Sequence, residues 1–179
     1  MQKKKIMKMF FAWQDEKEQA WLEQMAAHGW ILDEIGFFLY TFRKEMPQQM
    51  HYRLDYQEMK QSDLQEYLGL FDDAGWKYLG RLTNWFYFAS NGPETREIYT
   101  DTHSKIEKYK RILRTLFITS FPSIYYVVFY SSLFEQSNSC SYCGILEVLR
   151  FVIFFLWLVM MFNIVRIWIK IQKLEKKIE

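Results

Sequence analysis

The sequence is poor in the residues from which chemical sites are usually built. Its 179 residues include only 2 Cys, which excludes a disulfide-stapled scaffold, and 3 His, which leaves little for a metal centre. His28, His51 and His103 lie far apart, with no H-E-x-x-H or other paired spacing. Neither G-x-x-x-x-G-K-[ST], G-x-G-x-x-G nor G-x-S-x-G occurs, so phosphate-cradling loops and a nucleophile elbow lack support. A large net charge is also missing: the balance is +2, and 16 Phe, 12 Tyr and 7 Trp exclude a disordered chain. The charge is uneven. Residues 1–105 hold 13 Lys and Arg against 16 Asp and Glu, whereas residues 106–179 hold 10 against 5. The slightly acidic first part argues against nucleic acid as a direct partner.

Long apolar runs are present, and they set the class. Residues 112–134 read ILRTLFITSFPSIYYVVFYSSLF, with Arg114 as the only charge. A helix of about 20 apolar residues spans a bilayer core of roughly 30 Å, so residues 112–134 predict one membrane span. Residues 145–169 predict a second, with the uncharged centre FVIFFLWLVMMFNIV and with Glu147, Arg150 and Arg166 near its ends. Lys105, Lys108, Lys110, Arg111 and Arg114 flank the first span, and Arg166, Lys170, Lys173, Lys176 and Lys177 follow the second. The connector at 135–144 has no Lys or Arg. The positive-inside rule then places both termini in the cytoplasm of a multi-pass inner-membrane protein and the connector outside. Anionic lipid accounts for the basic flanks, and residues 170–179 form a basic cytoplasmic tail. The N-terminal MQKKK is followed by only a short apolar run, ended by Asp15, Glu16 and Lys17, so no signal-peptide core is expected.

Residues 1–101 read as a cytoplasmic domain with an internal repeat. A shift of 46 residues sets Trp21-Leu22 on Tyr67-Leu68, Met25 on Phe71, Gly29-Trp30 on Gly75-Trp76, Tyr40 on Phe86 and Phe42 on Phe88. Each unit, at about 6–43 and 50–89, predicts strand, helix, strand, strand. Apolar residues at helical spacing (Trp21, Leu22 and Met25; Leu64, Tyr67, Leu68 and Phe71) mark the helices. Asp15 with Glu18, and Ser62 with Gln65, resemble capping boxes, while Gly29 and Gly75 stand where a helix ends in a left-handed residue. Strands are expected at 6–13, 30–34, 37–43, 50–57, 76–82 and 85–89, with an edge strand at 96–101. The fold expected is α+β: one antiparallel sheet with both helices on one face, followed by a two-helix transmembrane hairpin.

In FFLYTF and NWFYF, neighbours that point to opposite faces are both large and apolar. If the helices cover one face, Phe37, Leu39, Trp85 and Tyr87 remain on the other. Such a patch marks a partner, ligand or membrane-contact surface, or else is covered by an intramolecular loop or by self-association. The run FFAWQDEKEQAWLEQMAAHGW, with YTF at Tyr40, YRLDY at Tyr52 and AGWKYLG at Ala74, resembles the bacterial family known as domain of unknown function 2812 (DUF2812), over roughly residues 8–114. The resemblance implies a cytoplasmic repeat with C-terminal membrane helices, encoded beside PadR-type transcription regulators. It implies a signalling or accessory role and no established activity.

Cys140 and Cys143 form a C-x-x-C pair in the external connector, which can close a structural disulfide, exchange thiols or stay inert. Zinc would need two further ligands, and none lies near. His28 suits a helix C-terminus, and Asp33-Glu34 and Asp72-Asp73 read as solvated faces. Within the spans, Asn163 is the candidate for a hydrogen bond to the other helix. Ser104 with Glu107 reads as a cap, so residues 102–111 form a linker helix running into the first span. Ile106, Tyr109 and Leu113 can pack against the stripe Ile167, Ile171, Leu174 and Ile178, or that stripe can anchor at the interface. The sequence therefore predicts a non-enzymatic membrane protein, with no cofactor, whose cytoplasmic domain binds a protein partner in signalling. The alternatives are a thiol-disulfide component, and an accessory subunit of a transporter or a small-molecule sensor.

Overall fold

The computed structural model describes residues 2–92, 102–134 and 143–178. The chain packs as two units, Met1–Lys108 and Tyr109–Glu179. In the first, the order is β1 (Lys3–Met7), α1 (Asp15–Ala27), β2 (Trp30–Gly36), β3 (Leu39–Lys44), β4 (His51–Tyr56), α2 (Leu64–Asp73), β5 (Lys77–Leu82) and β6 (Trp85–Ser90). Gly29 and Gly75 end the two helices at φ +77° and +83°, values that a residue with a Cβ reaches only under strain.

The strands form two antiparallel three-stranded sheets, ordered β1-β3-β2 and β4-β6-β5, where a single sheet was expected. The reason is visible in β6, which is apolar on both faces and needs two separate covers. Phe86 and Phe88 turn toward α2 and bury with Phe71 and Trp76, with Phe71 and Phe88 stacked at 3.8 Å. Tyr87 and Ala89 point the other way. With Tyr52 and Leu54 they enter the core that holds Leu22 and Ala26 of α1 and Leu32, Tyr40 and Phe42 of the first sheet. The two helices therefore do not share one face. Helix α1 serves both sheets, which is why its buried stripe is complete at Leu22 and Ala26.

Two expected strands are shortened at the same place. The β2–β3 hairpin turns through Phe37 and Phe38, with Phe38 at φ +57°, so β3 starts at Leu39. The first strand ends after Met7 because its partner runs out: the Lys8 N–H still donates to the Phe38 carbonyl (2.9 Å), but there the β2–β3 turn begins, and the chain goes on to a single 3-10 turn at Ala12–Gln14. The expected edge strand at 96–101 lies outside the described residues.

The second unit consists of α3 (Thr102–Phe134), from Tyr109 onward, and α4 (Cys143–Glu175). Its buried residues include Tyr109 and Ile112 on α3 and Ile164, Ile167 and Ile171 on α4. The Lys170 ammonium lies 4.4 Å from the Tyr109 ring, and the Thr119 hydroxyl lies 3.9 Å from Met160 Sδ, so the two helices meet along both stretches. Among the described residues one helix segment, Val148–Glu175, is long and apolar enough to cross a membrane. Phe151 and Phe155 on it are 65% and 64% exposed, unlike the side chains of a soluble core helix.

Candidate functional site

The buried stripe of α1 begins with carboxylates. Asp15, Glu18, Leu22 and Ala26 follow at spacings of three and four, so all four point into the domain. The capping box expected of these two acids is not what the helix start shows: the N-cap position falls on Gln14, whose side chain makes no cap bond, and both carboxylates have partners on other elements. Asp15 accepts a 2.5 Å bond from Lys108 Nζ, a buried ion pair that neutralises both charges. Glu18, 6% exposed, accepts bonds at 2.8 Å from the Tyr40 hydroxyl of β3 and the Tyr87 hydroxyl of β6. One carboxylate oxygen, Oε1, thus holds a phenol from each half of the domain.

No cation pairs with Glu18 among the described residues. Burial pushes its carboxyl above the ordinary range; the Tyr40 and Tyr87 donors oppose that rise, and the Asp15 carboxylate adds to it. Burial also raises both phenols, and the Glu18 charge raises them further, so both stay protonated and donating at neutral pH.

Glu18, Tyr40 and Tyr87 form the polar floor of a cavity of about 240 Å³, walled by Phe10, Phe11, Phe37, Phe38 and Trp85. Tyr40 is held edge-on by Phe10 and Trp21, with ring centroids at 6.3 and 5.0 Å. Among the described residues, Thr83 is the one hydroxyl on the lining besides the two phenols, and no Ser, Cys, His or Lys lies there. A carboxylate and two phenols among aromatic side chains can orient a ligand by hydrogen bonds and apolar contact. A larger hollow of about 630 Å³ on α2 is edged by Glu58, Lys60, Asp63 and Glu66, all of them exposed.

The four residues read as one exposed aromatic face separate. Phe37 is 68% exposed and Leu39 is exposed, Trp85 is half-buried on the cavity wall, and Tyr87 is only 3% exposed. Tyr87 is corrected from surface to floor because α1 covers that side of β6. Met7 pairs with Leu39 across the β1–β3 ladder, so exposed Met7, Phe37, Phe38 and Leu39 gather at one end of the first sheet. Asn163 is buried on α4, and its amide donates to the Val159 carbonyl of its own helix (2.8 Å); among the described residues no bond from it to α3 is present. A buried amide within reach of its own i−4 carbonyl takes the nearer acceptor. Cys140 lies outside the described residues, and Cys143 begins α4. His28 Nδ1 meets the Gln24 carbonyl at 2.7 Å, the helix-end position expected for it. Among the described residues no three His, Cys, Asp or Glu side chains converge to hold a metal ion.

Glu18 is the cavity residue hardest to read from the sequence. In sequence it reads as a capping partner of Asp15, and the signal for its burial is its phase with Leu22 and Ala26.

Fold and site together define an α+β domain with an aromatic-walled cavity open at Phe37 and Phe38, carried on a chain that contains a helix apolar enough to span a membrane. The family described as "Protein of unknown function (DUF2812)" matches residues 14–121, and the chain belongs to that family. The match includes the floor of the cavity. Neither the curated proteins nor the solved structures gave a match.

Proposed function

We propose that this is a membrane-anchored, non-enzymatic binding protein with a signalling or regulatory role, and that the cavity over Glu18 is its binding site. One observation carries this: a buried carboxylate is shared by phenols from both sheets at the floor of an aromatic pocket. Ligand sites are mostly apolar concavities with a few converging polar groups, and this one has that composition. A thermal-shift screen of small molecules on the full-length protein in detergent tests it. Binders should raise Tm, and Trp85→Ala should reduce their effect. A screen across charged and neutral classes with no binder would contradict the proposal.

The exposed cluster Met7, Phe37, Phe38 and Leu39 supports a second element, a docking surface for a protein partner. The family resemblance makes a PadR-type regulator the first partner to test. A photocrosslinker at Phe37 should capture that partner in cells, and loss of capture with Phe38→Asp would locate the surface. Capture unchanged by Phe38→Asp would count against it.

Two further features belong to this proposal. The two halves are copies of one unit: Gly29 and Gly75 share a conformation, and the β-bulges at Asp33 and Leu79 interrupt β2 and β5, both pairs at the 46-residue shift. Helices α3 and α4 form a two-span hairpin with both termini in the cytoplasm, supported by the Lys and Arg flanks and by the absence of Lys and Arg from 135–144.

A further inference from the structure

We infer that the cavity selects a small organic cation, an ammonium carrying one ring-sized apolar group. The inference rests on the proposed binding role of the cavity and adds the chemical class of its ligand. Three observations converge on it. The charged groups on the lining are Asp15 and Glu18, and Lys108 already neutralises Asp15. Glu18 is held only by two neutral phenols on Oε1, and Oε2 has no hydrogen bond among the described residues. Phe10, Phe11, Phe37, Phe38 and Trp85 line the cavity with the carboxylate, and aromatic rings attract ammonium groups.

The wall already shows that preference. Lys8 Nζ sits 5.1 Å from the Phe10 ring and 4.4 Å from the Trp21 ring, on the outside of the aromatic cluster that backs the cavity. An ammonium entering the cavity would meet Glu18 Oε2 with Phe37, Phe38 and Trp85 around its apolar part. An anion would face two carboxylates and no free cation on the lining. A neutral isostere would gain the apolar contact but not the ion pair. The volume of about 240 Å³ limits the ligand to about one ring and a short chain.

The test titrates the full-length protein in detergent with benzylammonium, benzyl alcohol and benzoate, three probes of one shape and three charges. Isothermal calorimetry at pH 7.5 should give tightest binding for benzylammonium, at least tenfold over the alcohol, and none for benzoate. Glu18→Gln keeps an acceptor for Tyr40 and Tyr87 and should remove the preference for the cation while leaving the weak binding of the alcohol. Lys8→Met, outside the cavity, should leave the preference unchanged and controls for a displaced side chain. Tm of each variant, measured alongside, separates lost binding from lost folding. Where Glu18→Gln is unfolded, Glu18→Asp replaces it and should weaken the cation selectively. Equal affinity for cation and alcohol, or a preference that survives Glu18→Gln, overturns the cation assignment while the cavity remains a binding site. No binding by any of the three overturns the cation assignment, and a screen without binders of any class overturns the binding role itself.

Discussion

Removing the phenols one at a time should show how strongly Glu18 depends on them. In Tyr40→Phe or Tyr87→Phe the ring still fills its place and only the hydroxyl is lost. Each hydroxyl bonds a buried carboxylate at 2.8 Å, and a hydrogen bond to a charged group contributes about 1.5–3 kcal/mol. Each single variant should therefore lose about that much stability near neutral pH. The double variant leaves the Glu18 carboxylate with no hydrogen bond among the described residues, so the two losses should not simply add. The departure from additivity should also depend on pH. A carboxyl whose folded pKa lies above its unfolded value binds protons more tightly when folded, so its contribution falls as pH rises through the interval between the two. Taking away the donors that hold the Glu18 pKa down widens that interval upward. The wild type should thus lose stability on going from acid to neutral pH at this site, and the double variant should lose more, over a range extending to higher pH. Chemical unfolding of the full-length protein in detergent, followed by near-UV circular dichroism at several pH values, reads both effects. Single variants that each lose under about 0.5 kcal/mol, with a pH dependence identical to wild type, would refute the floor as described.

Asp15→Asn should cost about 3–5 kcal/mol by breaking a buried ion pair with Lys108, and Asp15→Leu with Lys108→Met should recover much of it; unfolding midpoints check both. Phe88→Ala should lose about 3–5 kcal/mol, since it empties the stack on Phe71 beneath α2. Gly29→Ala should destabilise more than Gly75→Ala: both incur the left-handed cost of about 1–2 kcal/mol. At Gly29, however, the new Cβ would also lie 2.6 Å from the Glu45 carbonyl oxygen, whereas nothing lies within 4 Å at Gly75. Equal Tm values for the two would contradict that packing.

Much of the fold could be read in the residues, because local rules set it. The stripes at Leu22 and Phe71, the left-handed glycines and the aromatic strands each fall where short-range spacing places them. The split into two sheets could not be read this way, because it depends on α1 packing against both halves at once. Nothing local in Tyr87 distinguishes a strand face open to solvent from one covered by a helix whose Glu18 lies 69 residues earlier in the chain. Phe37 kept its exposure because a two-residue turn is surface whatever packs below it. Glu18 and Asp15 were misplaced because a capping box and a buried carboxylate pair have the same spacing in sequence. Only the third dimension, which brings Tyr40, Tyr87 and Lys108 to them, tells the two apart.

The carboxyl resonance of Glu18 is the most direct measure of the account. In full-length protein labelled with ¹³C at the glutamate side-chain carboxyl, the Glu18 signal is the one missing from Glu18→Gln. It should titrate above the ordinary carboxylate range, as burial requires, and move to lower pH when benzylammonium saturates the cavity. A Glu18 signal that titrates as an exposed glutamate does and ignores benzylammonium would contradict both the buried floor and the ligand assigned to it.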